Sequence, residues 1–159
     1  MRTREWILMF GLAFGLLGCG PKMIPGMDID IPDTADSRAV VKLFEAYQQA
    51  MELKKIDALV GLASKRLYET CGTNDTADDY NLDGLRQHFV DHFKRIEKVL
   101  FNYKLKEVKV EKDTGHLDYQ YVARYLMKLP SGDKWEIADN ITRMEVVKED
   151  GQWKILNGM

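Results

Sequence analysis

Seven tyrosines, three histidines and two cysteines supply most of the side chains in this chain that could do chemistry. Tyr119, Tyr121 and Tyr125 recur at even spacing, which sets their rings on one face of a strand. Tyrosine is apolar along its ring and polar at its tip, so such a face can orient a bound molecule or fill a core. His88 and His92 stand one helical turn apart, a spacing that two metal ligands can share. No Glu follows His88 in the metalloprotease order and no third ligand is indicated, so no metal is expected and the pair reads as the solvated flank of a helix. His116 falls in or beside a hairpin turn. Asp75, Asp78, Asp79 and Asp83 make an acidic run without the order of a calcium loop. Cys71 has no histidine near it in sequence and reads as a small buried hydrophobe. There is no Gly-rich phosphate loop, nucleophile elbow or paired His-Cys arrangement, and no cofactor is implied.

Hydrophobic periodicity assigns these residues to elements. Val40, Phe44, Tyr47 and Met51 recur at helical spacing behind a cap at Asp36 or Ser37. A second helix is predicted over residues 56–70, with Ile56, Leu59, Val60, Ala63 and Leu67 on one face and Gly72 to end it. A third carries Leu82, Leu85, Phe89, Phe93, Ile96 and Leu100. From Asn102 the period becomes two. Tyr103 and Leu105 share one parity while Val108 and Val110 take the other, which predicts a bulge near Lys106 and Glu107. A long strand follows over Leu117 to Leu129, then a third led by Trp135, Ile137 and Ile141, its parity shifting towards Met144 and Val146. A short fourth strand holds Trp153 and Ile155. The expected fold class is α+β, three N-terminal helices packed on a curved four-stranded antiparallel sheet.

At 159 residues and 18.4 kDa the chain suits one domain. A net charge of −2 excludes the basic surface that holds nucleic acid. Arg2 and Arg4 precede an uncharged run from Trp6 to Leu17, too short for a ~30 Å hydrocarbon core and patterned like a secretory signal. It ends in Leu16-Leu17-Gly18-Cys19, which resembles the lipobox of bacterial lipoproteins. The resemblance implies cleavage after Gly18 and lipidation of Cys19 on its thiol and new amino group. It also implies a membrane anchor, and Gly20 in place of Asp favours an outer membrane, facing the periplasm. Loss of Arg2, Arg4 and Glu5 with the signal would leave a net charge of −3. Residues 19–36 hold Pro21, Pro25, Pro32, Gly20 and Gly26 and read as a tether, leaving 37–159 as the domain.

Phe44-Glu45-Ala46-Tyr47, Ala50 and Ile56-Asp57-Ala58-Leu59-Val60-Gly61-Leu62 resemble the opening helices of nuclear transport factor 2-like domains, the group that includes ketosteroid isomerase and the SnoaL-like cyclases. Asp150-Gly151-Gln152-Trp153-Lys154-Ile155 resembles their final strand. The resemblance implies a bent sheet enclosing a conical cavity, often in a homodimer. It places Tyr47, Tyr119, Tyr121, Tyr125, Trp135 and Trp153 on the cavity wall. Tyr47 matches the tyrosine that donates to substrate in the isomerases, but the position of their carboxylate base falls near Cys71, a thiol with a reference pKa of ~8.5. The expectation is therefore a non-catalytic domain that binds an envelope protein or a small apolar ligand. An isomerase or dehydratase using Tyr47 is the alternative, with Asp139 or Glu145 as the carboxylate. A structural homodimer, joined through Val122, Leu126, Met144 and Val146 on the outer sheet face, is another. The anchor itself is directly testable. Cys19→Ser should move the full-length protein from the membrane fraction to the soluble fraction and abolish labelling by a radioactive fatty acid; unchanged labelling would refute the assignment.

Overall fold

The computed structural model describes residues 22–71 and 76–159; Cys19, the segment before it, Gly72 and Asp75 lie outside them. Helix α1 spans Ala35–Glu52. Its N-cap is Thr34, whose hydroxyl accepts the Ser37 N–H at 3.0 Å, two residues before the predicted cap. Asp36 is instead engaged from the sheet by Lys148 and Trp153. The helix stops where Lys54 turns left-handed at φ +51°, with the Lys54 N–H donating to Met51 and the Lys55 N–H to Ala50. That pair of bonds satisfies the terminal carbonyls in the Schellman pattern.

Helix α2 is only Ile56–Leu62, shorter than predicted. Ala63 becomes extended and bridges Ile155, and the Ser64 N–H donates to the Ile155 carbonyl at 2.7 Å. Ser64, fully buried, also donates its hydroxyl to Glu149 at 2.8 Å. These tertiary bonds outweigh the local helical pattern, and the chain runs on to strand β1 (Tyr68–Glu69), paired with β2 (Tyr80–Asn81). Helix α3, Leu82–Phe93, begins at Asn81, whose side chain accepts the N–H groups of Asp83 and Gly84. It is also shorter than its apolar stripe implied, because Ile96 and Leu100 already belong to strand β3 (Ile96–Glu111). The 3–4 spacing of Phe93, Ile96 and Leu100 fits a helix but here crosses from helix to strand, leaving Leu100 on the outer face.

Strands β3, β4 (Thr114–Met127), β5 (Lys134–Glu149) and β6 (Gln152–Asn157) form one antiparallel meander, as the alternation predicts. The predicted bulge is present as a register shift between Leu105 and Glu107. The β4–β5 register is continuous, so the parity change along β5 is no bulge. Its apolar residues simply change face. Trp135, Ile137 and Ile141 pair with Leu126, Arg124 and Gln120 on the outer face, whereas Met144 and Val146 pair with Leu117 and Gly115 and are buried. The outer apolar patch is therefore Val122 and Leu126 with Trp135, Ile137 and Ile141, not with Met144 and Val146.

Helix α1 lies along the free edge of β3. Glu52 accepts the Phe101 N–H at 2.9 Å, and the Gln48 amide donates to the Phe101 carbonyl at 3.1 Å. Capping an edge in this way removes a pairing template. The stretch read as a tether is docked from Lys22 onward: Met23 bridges Pro32, Ile24 and Ile31 share a backbone bond, and Ile31 is fully buried. At the centre Phe44 meets Tyr103 and Tyr119 edge-on, with ring centroids at 4.8 and 4.5 Å. Among the described residues no helix is long and apolar enough to cross a membrane. Phe44→Ala should lower the unfolding free energy by about 3–5 kcal/mol, read from the urea midpoint; a loss under about 1 kcal/mol would show that this ring does not carry the core.

Candidate active site

The helices do not fill the concave face of the sheet. A cavity of about 470 Å³ remains, walled by α1, β1, β2, α3, the inner face of β3 to β5 and the end of the chain. The direct pairs Tyr121–Asn140 and Tyr119–Thr142 set all four of these residues on the inner face. Tyr125 lies further along the same face of β4, and Tyr47 comes down from α1 opposite. These four tyrosines line the cavity.

The two tryptophans do not. Trp135 is 45% exposed on the outer face, beside Leu100, Arg124 and Ile137. Trp153 is buried at the other end of the sheet, where its indole N–H donates to Asp36 at 3.0 Å beneath the Lys148 ammonium. Aromatic composition marks a strand as packed, but it does not tell which face or end packs.

For His88 the solvated-flank reading is corrected, whereas His92 is exposed as that reading has it, although its ring also borders the cavity. His88 and His92 both line the cavity. Tyr80 stacks on the His88 ring at 4.2 Å, the two imidazoles are parallel at 6.2 Å, and His92 meets Tyr125 edge-on at 5.7 Å. His88 is half-buried, while His92 keeps contact with solvent at the rim. Burial holds both imidazoles below their ordinary value of 6.5. Glu69 and Asp91 partly offset this at His88, whereas His88 adds to the lowering at His92. Both rings are accordingly neutral at pH 7, the form that accepts a proton.

Glu69 was hidden inside the predicted second helix. It is 7% exposed, borders the cavity, and its Oε2 accepts the N–H groups of Gly158 at 2.6 Å and Met159 at 3.2 Å. A two-residue strand is shorter than any alternation that sequence reading can detect, so only tertiary pairing reveals it. Cys71, expected to be buried, is exposed at the rim with φ +51°, its thiol directed at the Asp78 carbonyl. Burial, then Asp78 and Glu69, push that thiol up, away from the reactive thiolate. Asp139 and Glu145 pair with Val122 and His116 on the outer face, exposed, and cannot serve the cavity as its base.

Burial also raises the phenols of Tyr47, Tyr80, Tyr119 and Tyr125, which keeps them protonated donors. No hydroxyl of these four or of Tyr121 has a hydrogen-bond partner among the described residues. The site thus combines imidazoles biased towards the neutral form with tyrosine hydroxyls that open onto the cavity, a combination suited to taking a proton from a bound molecule while donating to its oxygen.

No protein-family model and no curated protein matches the chain. Solved structures do. The Kfla4162 protein from Kribbella flavida superposes with a TM-score of 0.66 at 14% identity, covering 77% of this chain and 86% of that one. A ketosteroid isomerase-like protein from Erwinia carotovora atroseptica gives 0.65 at 15%, covering 78% and 93%. Hexachlorocyclohexane dehydrochlorinase LinA-type3 from Novosphingobium barchaimii gives 0.64 at 14%, covering 77% and 83%. The expectation of a non-catalytic domain is corrected here. Proteins named for dehydrochlorinase and isomerase-like chemistry share this architecture, and half-buried His88 and exposed His92 both border the cavity. With its helices laid on a bent four-stranded meander around that cavity, the chain has the nuclear transport factor 2-like fold.

Proposed function

We propose that the protein is a membrane-anchored enzyme that abstracts a proton from carbon, an isomerase or a lyase, in the cavity bounded by His88 and the tyrosines. One observation carries this reading: two imidazoles, both held below their ordinary pKa by burial, and five tyrosines line one recess. His88, flanked by Glu69, is the base that faces the ligand. His92, at the rim, passes the proton to solvent. Tyr47 and Tyr119 donate to the oxygen on which negative charge develops, a role for which raised phenol pKa values keep the proton available. Names of structures sharing the fold, a dehydrochlorinase and a ketosteroid isomerase-like protein, support a reaction that begins with loss of a proton. The run Leu16-Leu17-Gly18-Cys19 supports placing this activity at a bacterial membrane, through a lipid on Cys19 at the periplasmic face of the outer membrane.

A substrate-independent test uses 5-nitrobenzisoxazole. A base takes the C3 proton as the ring N–O bond breaks, and the electron pair ends on a coloured phenolate. The full-length protein should accelerate this reaction, and His88→Ala should reduce the rate by about 100-fold, the lower end of what a positioned general base contributes. The rate should rise as the imidazole loses its proton, with a midpoint below 6.5 and a plateau above it, because burial lowers the His88 pKa. Equal rates for the native protein and the His88→Ala, His92→Ala double variant would refute the assignment.

A further inference from the structure

One carboxylate on the cavity wall has no basic side chain as partner among the described residues. Glu69 is more than nine-tenths buried, and two N–H donors occupy its Oε2. Its Oε1 has no hydrogen-bond partner among the described residues, and no lysine or arginine pairs with the carboxylate there. A carboxylate oxygen left open on a cavity wall is a ready acceptor for an N–H group of a bound molecule, and a charged donor makes the stronger bond.

The rest of the wall points the same way. Among the described residues its only Lys or Arg is Arg143. The Arg143 guanidinium is held across both oxygens of Asp118, at 2.6 and 2.8 Å, and these two residues pair directly on the outer face of the sheet. Among the described residues no lysine or arginine side chain is therefore available inside to receive an anion. What the cavity offers instead is aromatic surface. Phe101 and Tyr121 stack at 5.4 Å, Tyr119 and Tyr121 stand at 6.0 Å, and Tyr47 meets Phe101 edge-on at 6.1 Å. Ring faces carry negative electrostatic potential and attract cations, more strongly where water is excluded. Glu69 pairs directly with Tyr80 across β1 and β2, and the Tyr80 ring stacks on His88, which sets the carboxylate beside the aromatic wall.

We propose that the ligand of this cavity carries an ammonium group, seated against the Glu69 carboxylate and the faces of the tyrosines, with its carbon skeleton against Phe89 and Phe101. The proposal rests on the reading of this cavity as the active site and adds the substrate class: an organic amine, protonated when bound. Neutral imidazoles fit that class, since a protonated His88 would repel it.

Isothermal titration of the full-length protein in detergent at pH 7.5, against matched detergent blanks, separates the possibilities with three probes of one shape. These are 2-phenylethylamine (cationic), 2-phenylethanol (neutral) and phenylacetate (anionic). The amine should bind about ten-fold or more tightly than the alcohol, and phenylacetate more weakly than either. Glu69→Gln keeps an oxygen for the Gly158 and Met159 N–H groups, and should bring the amine down to the affinity of the alcohol while leaving the alcohol unchanged. Alcohol or acid binding as tightly as the amine in the native protein would overturn the proposal without recourse to any variant. So would a preference for the amine that survives in a folded Glu69→Gln variant, or no binding of any probe. None of these outcomes alters the 5-nitrobenzisoxazole result, which depends on His88, so the substrate class and the acid–base role fail separately.

Discussion

The open edge of β3 is the constraint on which the rest of the architecture depends. A meander of four strands has two edges, and the one at β3 is long. Helix α1 answers it with two side chains, Glu52 and Gln48, which take the N–H and the carbonyl of the single residue Phe101. Those bonds fix how far along the sheet the helix sits. That position in turn decides that Phe44 fills the centre of the concave face and that Tyr47, one turn on, stands opposite Tyr119 and Tyr121. The cavity is what remains when one helix is pinned to an edge and α3 closes only the far side.

The interior chemistry follows from the same geometry. The rings pack edge to face, Tyr119 against Phe44 and Tyr47 against Phe101, while their hydroxyls meet no backbone carbonyl among the described residues. Desolvation acts on Tyr47, Tyr80, Tyr119 and Tyr125 and on His88 and His92 in the direction that removes charge: phenols up, imidazoles down. Glu69 stands out because backbone N–H groups at the chain end support it where a side-chain cation does not.

Much of this was legible in the amino-acid sequence where the signal was local and long. The bulge at Leu105 and Glu107 followed from a parity break, and the tyrosine face of β4 from simple alternation. The stripe of α1 was clear from Val40 to Met51. What was illegible depended on partners distant in the chain. His88 and His92 lie beside the Leu85 and Phe89 stripe, and helical angle alone cannot say whether a neighbouring face meets water or Tyr80 and Tyr125. The segment after Leu62 kept helical spacing yet gave up its helix to Ile155 and Glu149, more than eighty residues away. Trp135 and Trp153 obeyed the strand pattern, and only sheet pairing assigned one to the outer face and the other to Asp36.

The docked segment beginning at Lys22 sets a length scale for the whole assembly. Ile31 is buried and Asp33 donates its N–H to the Lys22 carbonyl, so the chain is already committed to the domain at that residue. If Cys19 carries the lipid, only three residue steps separate anchor from domain, a reach of at most about 11 Å. A line that short restricts the domain to a narrow layer above the headgroups and limits how far it can tumble. The mouth of the cavity would then sample a thin slab of solution beside the bilayer, where amphiphilic amines are enriched over bulk water, and the mooring itself would become part of substrate selection.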